Sequence, residues 1–130
     1  MLTLKLALTV LKDDLTIHRF PVSHTIPHQV YESGFYSISK TDEELSIVCS
    51  SSILLDSEKS ENGWSGIKVA GPLDFSLTGI LANISSILAD AKISIFAVST
   101  FDTDYILIKS TKLSLAIDAL QAAGHNVQES

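Results

Sequence analysis

A run of apolar residues with helical spacing, set between segments with strand patterns, constrains the fold of this chain more than any other feature. Its apolar positions from Leu77 to Ala91 recur every three or four residues, which places them along one face of a helix. Trp64–Ala70 before this run has a strand pattern, and so do Ile93–Val98 and Tyr105–Ile108 after it. Since Ile93–Val98 is apolar on both faces, we expect it to be a central strand of a sheet.

A second helical pattern follows these strands. It begins near Thr111 and reaches Gly124, a residue type typical of the position just after a helix. Residues 125–128 can add a last short strand. The resulting order, strand–helix–strand–strand–helix–strand, is that of the split βαβ or ferredoxin-like unit. We therefore predict an α+β fold in which the helices pack on one face of an antiparallel sheet.

The N-terminal residues are patterned as strands joined by turns and loops. Strict alternation of apolar residues over residues 2–10 predicts a half-buried strand, and Leu15–Phe20 predicts a second strand after a turn. We therefore expect the chain to open with a hairpin. After a loop with three histidines nearby, Phe35–Ser39 and Leu45–Cys49 predict two further strands.

A polar segment predicts where the chain divides. Residues 56–63 are polar and end in Asn62-Gly63, a strong turn signal, so they are predicted to be a linker. The chain of 130 residues is long enough for one sizeable core or two small ones. We place the boundary between an N-terminal half, residues 1–63, and a C-terminal domain, residues 64–130.

An internal repeat predicts that the two halves are related. Residues 35–48 align without gaps on residues 95–108 at an offset of sixty, which matches Glu44 with Asp104. The N-terminal half lacks an amphipathic first helix, so it is predicted to be the degenerate copy. The alternative is that two hairpins share this alternation by chance.

Charge, hydropathy and cysteine content exclude several classes of protein. The net charge of −6 argues against a nucleic-acid partner. The longest uncharged stretch, Phe75–Ala89, is shorter than the roughly 20 residues of a membrane-spanning helix. The start of the chain lacks the basic segment of a signal peptide, and a single cysteine, Cys49, cannot form an internal disulfide. We therefore expect a cytoplasmic protein without a membrane segment.

Two patterns suggest catalysis or metal binding, and each has a simpler explanation. His24 and His28 are four residues apart with His18 nearby, but a proline between the pair breaks the helix that could bring both rings to one metal. Ser37 and Lys40 have the spacing of serine acylases but fall in a predicted strand, where such positions face opposite sides. We expect no catalytic residue, no metal and no cofactor.

Polar groups at the start of the first helix and in the turn between the two strands after it point to a ligand. The free amides of a helix N-terminus favour an anion by about 0.3–1 kcal/mol, and Gly79 costs about 1 kcal/mol relative to alanine inside a helix. These amides suit the carboxylate of an α-amino acid, and Asp104 suits its ammonium. The alternative is that Asp74 is a helix cap, Asp102 and Thr103 are ordinary turn residues, and Gly79 allows a close packing contact.

Three segments resemble the regulatory modules of the ACT-domain family. They are GPLDFSLTGIL at residues 71–81, ISIFAVSTFDTDYILIK at residues 93–109, and FYSISKTDEELSIVC at residues 35–49. The resemblance is to the branch that contains stand-alone bacterial ACT proteins and the tandem-ACT cytosolic arginine sensors of animals. It implies two ACT-like βαββαβ halves, of which the N-terminal one is degenerate.

The resemblance also implies a site. ACT modules bind amino acids or similar small metabolites where two modules abut, so the ligand would have two walls. One wall is the start of the first helix with the following turn and strand, and the other is the central strand of a neighbouring module. The matching residues are Leu77, Thr78, Gly79, Ile80, Thr100, Phe101 and Asp104 in the first wall, and Ser94 and Ile95 in the second.

These observations lead to one expectation and two alternatives. The expectation is a non-enzymatic regulatory module that binds a free amino acid or a similar metabolite, with the second wall supplied by a homodimer mate or by the N-terminal half. Leu77-Thr78 replaces an acidic and sulfur-bearing pair of the animal sensors, which removes a carboxylate that arginine would need. The alternatives are a structural dimerisation module without a ligand, and an enzyme of small metabolites that uses His24, His28 and acidic residues of the loop.

Overall fold

The computed structural model describes residues 5–69 and 79–129. These residues form two compact units, one of Asp13–Trp64 and one of residues 5–12 together with the described residues after Trp64. The described elements, in chain order, are β1 (Ala7–Val10), β2 (Leu15–Phe20), a 3₁₀ helix (His28–Glu32), β3 (Ser37–Lys40), β4 (Leu45–Ser50), β5 (Lys59–Val69), α1 (Ile80–Asp90), β6 (Phe96–Ser99), β7 (Asp104–Lys109), a 3₁₀ helix (Ser110–Lys112), α2 (Leu113–Ala122) and β8 (Asn126–Glu129).

The C-terminal unit has the predicted ferredoxin-like order. From β5 onward the chain runs β5-α1-β6-β7-α2-β8, and the strands lie side by side in the order β6-β7-β5-β1-β8. β7 pairs with both β6 and β5, while β1 pairs antiparallel with β5 and parallel with β8. The α+β ferredoxin-like prediction is thus confirmed, with β1 inserted between the first and last strands of the unit.

The core of the C-terminal unit lies between the helices and one face of the sheet. Both helices carry apolar stripes, and the strands contribute every second residue, as a two-residue period requires. Fully burying one such aliphatic side chain contributes roughly 1.5–3 kcal/mol. The buried members are Leu8, Val10, Ile67, Val69, Ile80, Ile84, Leu88, Ile93, Ile106, Ile108, Ala116 and Leu120.

Both helices end in the same hydrogen-bonded motif. After α2, Gly124 takes a φ of +98°, and the N–H of His125 donates to Leu120 O at 3.1 Å. After α1, Lys92 takes a φ of +62°, and the N–H of Ile93 donates to Leu88 O at 2.9 Å. A left-handed residue followed by this backward bond is the Schellman motif, for which glycine is the usual residue.

The N-terminal unit has the ferredoxin-like strand order without an inserted strand, and its described residues form no α-helix. Its strands lie in the order β3-β4-β2-β5, to which β5 contributes its first part. The 3₁₀ helix His28–Glu32 stands where a ferredoxin-like unit has its first helix, and residues 51–58 stand where it has its second. The core on one face of this sheet is small and consists of Phe20, Val30, Leu45, Ile47 and Cys49.

The predicted opening hairpin is wrong. β1 pairs with the second part of β5, through Leu8 opposite Val69, whereas β2 pairs with β4 and the first part of β5. The turn at Asp13-Asp14 therefore separates two strands that find their partners elsewhere. The sequence assigned β1 to the N-terminal half, but it lies in the C-terminal unit.

The predicted linker is also wrong in its second half. β5 starts at Lys59 and runs through Asn62-Gly63 without a break. Leu15 pairs with Trp64 and Ile17 with Glu61, so β5 holds one extra residue, and Gly63 at a φ of +76° accommodates it. A glycine in the left-handed region is typical of such a β-bulge. The turn signal therefore marked a bulge rather than a loop.

Candidate functional site

The turn between β6 and β7 is held in one shape by its own hydrogen bonds. Thr100 N–H donates to Thr103 O at 2.8 Å, and the Thr100 hydroxyl donates to the same oxygen at 2.9 Å. Thr103 N–H donates to Thr100 Oγ1 at 3.2 Å, and Thr103 is buried. Phe101 follows Thr100 in this turn and is 80% exposed. Two of the predicted site residues, Thr100 and Phe101, thus share a rigid turn with Asp104 directly after it.

Asp104 presents its carboxylate at the mouth of this turn. It pairs across the strands with Ser99, and the Ser99 hydroxyl donates to Asp104 Oδ1 at 2.7 Å. The side chain is half-buried, and within the described residues no lysine or arginine forms a salt bridge with it. An ionised carboxylate only accepts hydrogen bonds, and Ser99 uses one of its acceptor positions. The others suit a cationic donor such as an ammonium group.

The start of α1 explains why residue 79 is glycine. Gly79 is the N-cap of α1 with a φ of +83°, a conformation that side chains rarely adopt, whereas an N-cap is usually extended. A Cβ added there would meet no described atom within 4 Å. The packing contact considered from the sequence is therefore not seen, and the backbone conformation accounts for the glycine. Gly79 O accepts the Asn83 N–H at 2.8 Å, and Ile80 is buried.

The fold puts the helix start and the turn at the same end of the unit. α1 begins at Ile80, and a short connection after its C-terminus leads to β6, so the first turn of α1 and the last residue of β6 lie at one end of the sheet. Thr100 follows β6 directly and shares that end with Gly79. Leu77 and Thr78 lie outside the described residues.

The fold separates the other two predicted residues from this end. Ser94 and Ile95 precede β6, where Ser94 is exposed and Ile95 packs against the core. From Ser94 to Thr100 an extended chain spans about 20 Å. Within one unit, Ser94 and Ile95 therefore do not join Gly79 and Asp104. β6 itself pairs only with β7 in the described part of the chain, so the predicted central strand is an edge strand.

The structure corrects the alignment of the internal repeat between the β3–β4 and β6–β7 hairpins. Lys40 pairs with Leu45 and Ser99 with Asp104, and each pair closes a four-residue turn. The turns correspond in detail, because Thr41 N–H donates to Glu44 O at 2.9 Å as Thr100 N–H does to Thr103 O. The two hairpins thus correspond at an offset of 59, not sixty. Leu45, a buried leucine, occupies the position of Asp104, and Glu44 does not.

Sequence reasoning gave no role to His125. This histidine is 4% exposed and lies just after the glycine that ends α2. Its Nδ1 accepts Leu6 N–H at 3.1 Å, and its Nε2 is 2.8 Å from Asn83 Oδ1 in the first turns of α1. Burial lowers the pKa of His125. The only feature of the sequence that could have indicated a role for His125 is its place directly after the glycine that ends a predicted helix.

The other histidines are engaged separately. His18 is buried, its Nδ1 is 2.8 Å from Ser57 Oγ, and burial lowers its pKa. The His24 ring packs on Phe20, with ring centroids 4.6 Å apart, and His28 lies beside an exposed tyrosine. Across residues 5–69 and 79–129, no three histidine, cysteine or acidic side chains are arranged to hold a metal ion.

The structure also gives the positions of the Ser37 and Lys40 pair and of Cys49. Ser37 and Lys40 stand in strand β3, as predicted. Cys49 is fully buried, and burial raises the pKa of its thiol, which disfavours the reactive thiolate. Of the helices in the described segments, none is both long and apolar enough to cross a membrane.

Comparison with known proteins identifies both parts of the chain. Residues 59–122 match the family model of the ACT domain, and residues 13–54 match a second model described as an N-terminal domain. The chain is 31% identical over 115 residues to the cytosolic arginine sensor for mTORC1 subunit 1 of Rattus norvegicus. This alignment covers 76% of the chain and 34% of the sensor, so the chain spans about a third of the length of the curated relatives it matches.

Solved structures share the fold. A crystal structure of an Agobacterium tumefaciens protein, 39% identical, superimposes with a TM-score of 0.90 over 98% of this chain and 96% of that one. Aspartate kinase of Clostridium acetobutylicum superimposes with a TM-score of 0.68 at 11% identity, over 95% of this chain and 36% of that one, which shows a common fold. The match of residues 59–122 establishes that the chain belongs to the ACT-domain family.

Proposed function

We propose that this chain is a non-enzymatic, cytoplasmic regulatory module that binds a free amino acid or a similar small metabolite at an interface between ACT modules. The family supports a regulatory role, and the relative named as a cytosolic arginine sensor supports amino-acid binding and a cytoplasmic location. The observation that carries the proposal is the Asp104 carboxylate, half-buried and oriented by Ser99 beside a rigid turn.

Asp104 is proposed to hold the ammonium group of the amino acid. Ser99 fixes the carboxylate by donating to Oδ1 at 2.7 Å, so the remaining acceptor positions have a defined direction. A hydrogen bond between charged groups contributes about 1.5–3 kcal/mol, more than one between neutral groups. The hydrogen bonds within the Thr100–Thr103 turn reduce the ordering that ligand binding would otherwise require.

The amides of Gly79 and Ile80, at the start of α1, are proposed to hold the carboxylate of the same amino acid. The first N–H groups of an α-helix have no carbonyl partner within the helix, and the positive end of the helix dipole favours an anion. Gly79 has no side chain that could cap these amides. A Cβ added at Gly79 would meet no described atom within 4 Å, so a ligand has room to approach. One zwitterion could then contact both the helix start and Asp104.

The second wall is proposed to come from a second copy of this chain. Ser94 and Ile95 lie at the opposite end of β6 from the turn, so they cannot serve the site of their own unit. In a homodimer, Ser94 and Ile95 of one chain would face Gly79 and Asp104 of the other. Binding would then stabilise the interface between modules, and this coupling would transmit the signal.

A thermal-shift screen of the purified chain against each of the twenty proteinogenic amino acids tests the proposal. An amino acid at a hundred times its Kd stabilises the folded state by about 2.7 kcal/mol, which raises Tm by several degrees. We expect one amino acid, or a few of related structure, to do so. A dimer whose Tm responds to none of them would instead support the structural module without a ligand.

A further inference from the structure

The imidazole of His125 is held in one tautomer by its two partners. A backbone N–H can only donate, so the Leu6 N–H that lies 3.1 Å from Nδ1 requires a lone pair there. The ring hydrogen must then be on Nε2, which donates to Asn83 Oδ1 at 2.8 Å. Both ring nitrogens are therefore used only while the ring is neutral.

The backbone around His125 leaves the ring little freedom. The Schellman motif after α2 fixes its main chain, since its N–H donates to Leu120 O. The next residue, Asn126, donates its N–H to Leu6 O at 2.9 Å, so Leu6 contacts this segment through both its N–H and its C=O. The ring is 4% exposed. His125 thus joins the end of α2 and the segment before β1 to α1.

The hydrogen bond from His125 to Asn83 lies near the start of α1. Asn83 is the fourth residue after Gly79, and its own N–H makes the hydrogen bond to Gly79 O at 2.8 Å. Side chains on a helix lean toward its N-terminus, so the Asn83 amide lies over the first turn. The atom that His125 holds is therefore within one turn of the backbone at Gly79 and Ile80.

We propose that His125, in the neutral tautomer with its hydrogen on Nε2, is a positioning residue for the first turn of α1. This inference rests on the proposed function in one respect, because it makes that turn one wall of an amino-acid site. His125 itself would not touch the amino acid. It would hold the helix amides in the direction that the ligand carboxylate needs.

Protonation of His125 would break this arrangement. A hydrogen on Nδ1 would face the Leu6 N–H, and two donors repel each other. The ionisable residues on the elements beside the ring are Lys5 before β1, Asp118 on α2 and Glu129 on β8, with Asp90 at the far end of α1. In the described ranges none of them forms a hydrogen bond with His125. The site is therefore expected to weaken in acid.

Three variants separate positioning from a general loss of structure. Asn83→Asp places a carboxylate at the Nε2 hydrogen, which favours the protonated ring, so the titration of His125 should move to higher pH. His125→Gln removes the ring while keeping polar atoms at the site. His24→Gln, in the exposed loop of the N-terminal unit, is the matched control for loss of a histidine.

The first measurement needs no amino acid. Long-range nitrogen–proton NMR of the wild-type chain should show His125 with its hydrogen on Nε2 at neutral pH. Exchange of the Asn83 backbone amide with solvent should be several-fold faster in His125→Gln than in His24→Gln. A ring with its hydrogen on Nδ1, or equal exchange in the two variants, would overturn the inference even if an amino acid binds.

The second measurement uses calorimetric titration with the panel of twenty amino acids at several pH values. We expect affinity to be about two- to tenfold weaker in His125→Gln than in wild type, which corresponds to one lost hydrogen bond. In Asn83→Asp the loss in acid should begin at higher pH. Wild-type affinity in His125→Gln would overturn the inference. If no amino acid binds the wild-type chain, the proposed function fails, and the NMR and exchange results still decide the role of His125.

Discussion

The residue that corresponds to Asp104 in the N-terminal unit is not a carboxylate, and only the pairing of the strands shows this. By letters alone Glu44 matches Asp104, but the four-residue turns align Leu45 with Asp104 and Thr41 with Thr100. The N-terminal unit therefore has an aliphatic side chain where an ammonium partner would be required. We infer that each chain provides one such carboxylate, not two.

The sequence predicted part of the candidate site at this scale. The turn residues followed from the resemblance, because they form one continuous segment from Ser99 to Asp104. The bond between Ser99 and Asp104 needed the strand register, and the link from His125 to Asn83 joins residues 42 apart in the chain. Contacts of that kind are set by tertiary packing and have no local pattern.

The two buried histidines predict how stability depends on pH. Burial lowers the pKa of His18 and His125 below the usual 6.5, so below that value the unfolded chain binds protons that the folded chain excludes. Their contribution is complete above pH 6.5, the unfolded value, and is lost as the pH falls below it. We expect the free energy of unfolding, from urea titrations, to fall as the pH is lowered below 6.5.

Variants assign this effect. His18→Leu and His125→Gln should each flatten the pH dependence, whereas His24→Gln, in an exposed loop, should leave it close to that of wild type. A wild-type free energy of unfolding that does not fall in acid would contradict the burial of both rings. The burial of both rings would also be contradicted if the pH dependence of the free energy of unfolding were unchanged in both His18→Leu and His125→Gln.

At the scale of the elements, the end of α1 carries strain that a single substitution can remove. Lys92 occupies the left-handed position of a Schellman motif with a φ of +62°, where α2 has Gly124. Lys92→Gly should raise the free energy of unfolding by about 0.5–1 kcal/mol, since glycine adopts this conformation without a Cβ clash. Chemical denaturation measures the change.

The opposite substitution at the end of α2 should have the opposite effect on stability. Gly124→Ala puts a Cβ on the corresponding position after α2, at a φ of +98°, and should destabilise the chain by about 1 kcal/mol or more. If Lys92→Gly destabilised the chain instead, the left-handed conformation of Lys92 would be wrong.

Elements whose patterns are local were predicted well, and those that depend on distant partners were not. Helices α1 and α2 and the β6–β7 pair followed from periods of 3.6 and two residues, which neighbouring residues alone determine. The partners of β1 did not, because β5 and β8 lie far along the chain. Asn62-Gly63 misled for a related reason, since a left-handed glycine suits a bulge as well as a turn.

For the whole molecule, a site shared between two copies makes a prediction about mixtures. Ser94→Arg changes an exposed residue about 20 Å along the chain from the turn, and Asp104→Asn removes the proposed ammonium partner. Each homodimer should bind poorly. In a mixed dimer, one of the two sites would have the Asp104 of one chain and the Ser94 of the other, both intact.

Calorimetric titration of the mixture measures the number of intact sites. With the amino acid that gives the largest thermal shift, the two variants should show little heat when measured alone. After mixing and re-equilibration, about a quarter of the wild-type number of sites should return, because half of the dimers formed at random are mixed. Absence of any recovery in a mixture that contains mixed dimers would contradict a shared site.

The central claim, that Asp104 holds the ammonium group of an amino acid, is tested most directly by calorimetric titration of Asp104→Asn beside Glu44→Gln. Both substitutions neutralise one carboxylate with little change of shape, and the Ser99 hydroxyl can still donate to the asparagine oxygen. We predict at least about tenfold weaker binding in Asp104→Asn, the loss of a charged hydrogen bond, and wild-type affinity with one amino acid per chain in Glu44→Gln. Equal affinity in the two variants, or a larger loss in Glu44→Gln, would contradict the claim.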